Sequence, residues 1–261
     1  MLLLHPFILS QNVWKRVAPL IADTGRYEVF APTMAGHNGG ARGNLLLDTA
    51  TLADDVERRL DALGWGTAHI VGNSLGGWVA FELERRGRAR TLTGIAPAGG
   101  WNQFTPAKFE IVGKFLAGSP LFLVCRLLGT RAAKFPFARQ LAYPAVSATA
   151  DGLTREDVVD IIDDVAHCPA YFQMLVKSLT LPGLLELAKT RTPTHLMICE
   201  KDRVLPTPRY TRQFTEHLPK NTLVTTLDGV GHIPMYEAPQ RIADAITGFV
   251  DEHVGDKRAT G

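Results

Sequence analysis

The order of apolar runs along the chain predicts an α/β protein, with a mostly parallel central sheet, helices on both faces and an inserted helical lid. Three observations carry this expectation. From residue 2 to residue 97, short strand-like runs alternate with segments of helical periodicity across short loops. From about residue 99 to 189 no convincing strand occurs, and helical pieces follow one another between Gly and Pro breaks. At Thr194 the alternation resumes and runs to a closing helix. The expected division is therefore a core of residues 1–98 and 190–255, a lid of residues 99–189 and a disordered tail of residues 256–261.

The elements follow in order. Leu2-Leu3-Leu4 opens as a short apolar strand. In the segment from Asn12 to Ala22, Val13, Val17, Leu20 and Ile21 share one helical face, and Gly25 follows its end. Tyr27 to Ala31 reads as a second strand, leading into an irregular Gly-rich loop from Pro32 to Gly43. Thr51 to Leu63 reads as a helix with Thr51 as N-cap, Asp54 and Asp55 in its first turn and Gly64 behind it. Ala68 to Val71 is a buried strand, Trp78 to Arg86 a helix, and Arg90 to Pro97 a further strand. In the insertion, Lys108–Leu116, Leu121–Leu128, Arg155–Ala166 and Ala170–Leu179 read as helices. Thr194 to Cys199 and Thr222 to Leu227 are the last strands, separated by a helix from Thr207 to Leu218 and followed by one from Pro239 to about Val254.

Between the strand ending at Val71 and the helix beginning near Trp78 lies Gly72-Asn73-Ser74-Leu75-Gly76-Gly77. Gly-x-Ser-x-Gly alone is a short pattern that chance also produces. Set between a strand and a helix it describes a sharp turn that holds Ser74 strained above the sheet edge, at a helix N-terminus where negative charge is favoured. A serine hydroxyl needs a base, and an imidazole is the usual one. Of eight histidines, His69 and His195 fall in strands, His217 and His253 near helix ends, and His167 in the insertion. His5 and His37 lie in loops at the edge where Ser74 sits. His232 follows the final strand beside Gly231, at that same edge, and is the preferred base. Asp202, after the strand before it, is the preferred carboxylate to hold the imidazole, with Glu200 and Asp228 as neighbouring alternatives.

Bulk properties narrow the function classes. The net charge is +2, with no basic stripe interleaved with aromatics, which argues against a nucleic-acid partner. Three cysteines without CxxC or Cys/His spacing argue against a disulfide framework or a zinc site and fit a cytoplasmic protein. Cys199 lies in an apolar run and reads as core. The N-terminal Met1 to Pro6 lacks the basic region and apolar length of a signal peptide. The apolar stretch from Ile111 to Leu128 contains Lys114, Pro120 and Arg126, a poor transmembrane segment. No cofactor or metal is expected, and the protein is expected as a monomer or homodimer acting on a small molecule.

The motifs together resemble the α/β-hydrolase superfamily in its lid-bearing branch. The resemblance rests on Leu2 to Phe7, Gly72 to Gly77, Glu200 to Pro206 and Gly229 to Pro234, in the order nucleophile, acid, base. It implies that Ser74, Asp202 and His232 form a catalytic triad and that the backbone N–H groups of Phe7 and Leu75 bind the oxyanion. Two departures stand out. His5-Pro6 replaces the usual His-Gly, so the turn aiming the Phe7 N–H differs, a cis His5–Pro6 bond being one way to build it. Family members also carry two strands ahead of the one that opens here, so either the sheet is shortened at that edge or the natural start lies upstream.

The implied activity is hydrolysis of a carboxylic ester of a small to medium apolar substrate through an acyl-enzyme. A serine at the elbow argues against dehalogenase and epoxide-hydrolase chemistry, for which related families use Asp. The alternatives are carbon–carbon bond hydrolysis of ring-fission diketones, a cofactor-free haloperoxidase or perhydrolase reaction, and a non-catalytic ligand receptor on the same fold.

Overall fold

A computed structural model of the chain describes residues 1–43, 47–101, 105–184 and 186–255. The expected tail, residues 256–261, lies outside them. Strands β1 (Leu2–Leu4), β2 (Ala68–Asn73), β3 (Ala89–Ile95), β4 (Thr194–Cys199) and β5 (Leu223–Leu227) form one sheet in the order β1-β2-β3-β4-β5. All four pairings are parallel, with Leu3 beside Val71, Gly72 beside Gly94, Ile95 beside Met197 and Cys199 beside Leu227.

Side chains alternate across this sheet and build two cores. Leu3, Val71, Ile95, Met197 and Cys199 face helices α1 (Ala18–Ala22) and, at the end of the chain, residues 239–255 through Ile242, Ile246 and Val250. Leu2, Leu4, Ile70, Leu92, Leu196 and Ile198 face α2 (Thr49–Ala62) and α3 (Leu75–Arg85). Cys199 is core, 2% exposed. Between β3 and β4 the described residues contain helices and no strand: α4 (Pro106–Leu128), α5 (Ala138–Ala142), α6 (Arg155–Ala166) and α7 (Tyr171–Thr180). Helix α8 (Arg212–His217) precedes β5, and α9 (Pro239–Gly255) closes the fold.

Several elements differ from the sequence expectation. Tyr27 to Ala31 is not a strand: Phe30 makes a single parallel bridge to Leu2, through Leu3 N to Phe30 O at 2.9 Å and Phe30 N to Met1 O at 2.8 Å. Pro32, two residues on, has no N–H to continue the ladder. The segment from Asn12 to Ala22 is a 3₁₀ turn (Gln11–Trp14) and then α1, because Pro19 fits a helix only near its start. The N-cap of α2 is Asp48; Thr51 is the third residue of the helix, and the two side chains cap each other reciprocally. Lys108–Leu116 and Leu121–Leu128 are one helix, α4, which runs through Pro120. Pro120 has no N–H to give the carbonyl of Leu116, a residue 54% exposed, so the lost bond falls on the surface. The helix expected from Thr207 shrinks to α8.

The insertion docks on the segment after β1. Thr154 caps α6 in a reciprocal box with Asp157, and Asp157 pairs with Arg16. Lys15 Nζ reaches Asp160 at 2.5 Å. Buried Asp164 accepts from Ser10 N at 2.9 Å, Ser10 Oγ at 2.8 Å and Asn38 Nδ2 at 3.1 Å.

Two outcomes follow. A Cβ on Gly76 would lie 2.4 Å from Leu4 O and 2.7 Å from His5 O, both backbone atoms. Gly76→Ala is therefore expected to cost about 1–3 kcal/mol or more, read from urea unfolding. Burial pushes the Asp164 carboxyl up to about 6 from 3.8, against the hydrogen bonds of Ser10 and Asn38. Between these values the folded chain holds a proton that the unfolded chain releases, so this group's stabilisation is complete below about pH 4 and fades as pH rises through about 6. Thermal melts across this window are expected to show Asp164→Asn gaining on the wild type as pH rises.

Candidate active site

The elbow is built by close packing. β2 ends at Asn73 and α3 begins at Leu75, so Ser74 alone makes the turn, at φ 54° and ψ −115°. Positive φ is strained for a residue with a Cβ, and such strain persists only where the surroundings enforce it. Here they do. A Cβ on Gly72 would lie 2.2 Å from Gly76 O, and one on Gly77 would lie 2.7 Å from the Pro97 Cβ. Ser74 N donates to Ile95 O at 3.1 Å, and Ser74 O accepts from Trp78 N at 3.1 Å and Ala98 N at 2.9 Å. With its backbone fixed from both sides, the Ser74 side chain faces a cavity beyond the carboxyl ends of the strands, the usual ligand position in such sheets.

His232, in the turn after β5, lines the same cavity. Its Nδ1 lies 2.7 Å from Asp202 Oδ2, and both side chains are buried. A carboxylate can only accept, so Nδ1 carries a hydrogen, which in a neutral imidazole leaves the lone pair on Nε2. Asp202 Oδ1 accepts from Val204 N and Leu205 N, each at 2.8 Å. Burial pushes the Asp202 carboxyl up, but attraction to His232, the His232 hydrogen bond and the two backbone donors together hold it below its ordinary value. Of the alternatives, Glu200 receives Gly229 N at 2.8 Å and pairs with Lys201, and Asp228 accepts through its backbone from Arg241. The structure thus joins His232 to Asp202 and sets Ser74 and His232 on one wall. Among the described residues no hydrogen bond joins the Ser74 hydroxyl to the imidazole.

Phe7 shares the Ser74 cavity, and Phe7, Ser74 and Leu75 line a small adjoining one. Among the described residues neither the Phe7 nor the Leu75 N–H donates to a backbone carbonyl. His5–Pro6 is not cis; the cis bond among the described residues is Thr207–Pro208. The tight backbone falls instead at Ile8, φ 62°. His5 is fully buried and anchors this turn: Met34 N donates to its Nε2 at 2.8 Å, so its Nδ1 donates to Pro6 O at 2.8 Å. Burial, aided by neighbouring His37, pushes its pKa well down and keeps it neutral. The Phe7 ring stacks on Tyr171 of α7 at 5.9 Å and meets Phe115 of α4 edge-on at 5.3 Å.

The cavity measures about 720 Å³. Helices α4 to α7 roof it with Phe115, Phe122, Leu141, Ile161 and Tyr171, and polar surface is scarce. Two buttresses had no signal in the sequence. Asn73 Nδ2 donates to Ile95 O at 2.9 Å and to His232 O at 3.1 Å, tying the imidazole's own backbone to the elbow. Glu237 accepts from Gly231 N at 2.7 Å and from Ala148 N at 2.9 Å, joining the His232 turn to the insertion. Among the described residues no group of three or more His, Cys, Asp or Glu side chains is placed to hold a metal ion.

Comparison with known proteins agrees with this architecture. A family model described as the alpha/beta hydrolase family matches residues 1–245. The epoxide hydrolase EphH of Mycobacterium tuberculosis is 58% identical over 214 residues, 82% of this chain and 100% of that protein. Among solved structures, a thermophilic esterase from Thermogutta terrifontis superposes with a TM-score of 0.73 at 20% identity, over 97% of this chain and 89% of its own. The epoxide hydrolase CorEH superposes with a TM-score of 0.72 at 18% identity, over 95% and 89%. At those identities the two structures speak for the fold alone. A parallel sheet, a strained serine at its edge and a match along nearly the whole chain place this protein in the α/β hydrolase family, as a hydrolase.

Proposed function

We propose that the protein is a serine hydrolase that cleaves carboxylic esters with a small to medium apolar portion through an acyl-enzyme. The observation that carries this reading is a single apolar cavity whose wall holds both Ser74 and His232, with His232 held in one tautomer by Asp202. In the proposed reaction His232 Nε2 takes the Ser74 proton as Oγ attacks the ester carbonyl. The N–H groups of Leu75 and Phe7 receive the oxyanion. The imidazolium, steadied by Asp202, gives its proton to the departing alcohol, and water then repeats the sequence to release the acid.

The identity to a protein named an epoxide hydrolase favours a second reading, epoxide opening. Chemistry separates the two. A carboxylate nucleophile opening an epoxide forms an ester, which water can cleave at its carbonyl. A serine doing the same would form an ether, with no carbonyl to attack. With Ser74 at the elbow, epoxide opening would rest on water activated directly by His232, and Ser74 would be dispensable.

A fluorophosphonate probe with p-nitrophenyl esters of increasing chain length, a styrene-type epoxide and a vinylogous diketone decides between them. The wild type is expected to label and to turn over esters, and Ser74→Ala and His232→Ala to do neither. Epoxide turnover that survives Ser74→Ala would overturn the acyl-enzyme. Labelling with diketone cleavage and no ester turnover would move the reaction to carbon–carbon bonds, and an unlabelled wild type would leave a receptor. Asp202→Asn is expected to lower kcat on the order of 10³–10⁴-fold with KM little changed, measured in steady state.

A further inference from the structure

The outer face of the insertion has a composition unlike the rest of the chain. Residues 111–150 contain five of the chain's 28 Lys and Arg and none of its 26 Asp and Glu, so the remainder of the chain is net negative. Within this stretch large apolar side chains stand in solvent: Leu127 is 84% exposed, and Leu123, Phe135, Phe137 and Leu141 are about half exposed. Phe135, Phe137 and Leu141 also line the mouth of the Ser74 cavity, so the face and the entrance are continuous. The cations interleave with them. Arg126, Arg131 and Lys134 are exposed and make no ion pair among the described residues. Arg139 lies 3.7 Å from exposed Asp151, and Lys114 pairs with Glu110 at 3.3 Å. Arg203, on the cavity wall, covers the ring of Tyr143.

Helix α4 and the turn after it, residues 106–134, are long and apolar enough to cross a bilayer, and only 22% of the most apolar window is buried. The packing speaks for a different geometry. Ile111, Val112, Phe122 and Cys125 are buried in the protein's own cores, so the helix already spends one face on the fold and presents only the other. An exposed apolar face flanked by cations is the pattern of a helix lying in the headgroup plane.

We infer that the α4–α5 face docks the protein on an anionic lipid surface, with the cavity mouth turned toward the acyl chains. Charge selects this occupant over a second copy of the chain. An isologous dimer through this face would bring Arg126, Arg131 and Lys134 of one copy toward those of the other, whereas anionic headgroups complement them. The docking does not depend on the reaction at Ser74.

Vesicle sedimentation of the full-length protein tests it, with phosphatidylglycerol–phosphatidylcholine vesicles beside phosphatidylcholine alone. Binding is expected on the anionic vesicles, with release as NaCl rises and little retention on the neutral ones. Ser74→Ala is expected to bind like the wild type, which separates docking from catalysis. Leu127→Glu and Arg131→Glu change side chains outside the cavity wall. Each is expected to weaken vesicle binding on the order of tenfold or more while turnover of a soluble p-nitrophenyl ester and the melting temperature stay unchanged. Equal retention on neutral and anionic vesicles, or variants that bind like the wild type, would overturn the inference. So would a dimer in sedimentation equilibrium that Leu127→Glu dissolves, which would give the face to a second copy.

Discussion

The approach of three backbones around Gly72 and Gly76 is the constraint on which the site depends. β1, β2 and the start of α3 lie so close there that a single Cβ at either glycine would overlap a carbonyl. That contact leaves Ser74 one way to turn, with positive φ, and it sets Gly76 of α3 against the end of β1. The strain at Ser74 is sustained by the packing of the sheet's centre, where β2 is buried along its whole length. The geometry of Ser74 and the stability of the core are in this sense one property of the same few atoms.

What could be read from the sequence is what is encoded locally. Leu2-Leu3-Leu4, the run before Gly72 and the run from Thr194 to Cys199 are continuous apolar stretches, and each is a strand buried on both faces. Ser74, Asp202 and His232 each follow a strand, so their common edge was legible from chain order, as was the place of Asp202 beside His232. What depends on distant partners was not legible. Phe30 sits in a β-prone run, yet the chain leaves the sheet after one bridge because Pro32 follows. Asn73 and Glu237 look like ordinary polar residues until the fold brings His232 O and Gly231 N to them. Pro120 marks a break in periodicity but not in α4, since the helix runs on the surface, where a missing hydrogen bond is tolerated. Thr51 and Asp48 cap the same helix together, and a one-directional reading of caps credits the wrong one.

The cavity and the elbow constrain chemistry in different ways. The cavity wall, mostly Phe, Leu, Ile and Val, rewards burial of hydrocarbon and offers few polar groups for a polar substrate. The elbow presents a hydroxyl, and the proposed reaction at a carbonyl rests on that group. Fold alone does not decide between bonds, and the reading for this chain rests on its own site residues.

The amide of Asn73 joins two carbonyls, one at the end of β3 and one on His232 itself. The residue next to the hydroxyl therefore holds the main chain that carries the imidazole. Above the sheet the same turn is bonded to the helices between β3 and β4, through Glu237 to Ala148 and through Ile233 N to Val146 O at 2.8 Å. Residue 232 is thus clamped from beneath by an amide and from above by a carboxylate, so a change in either support is felt at the imidazole.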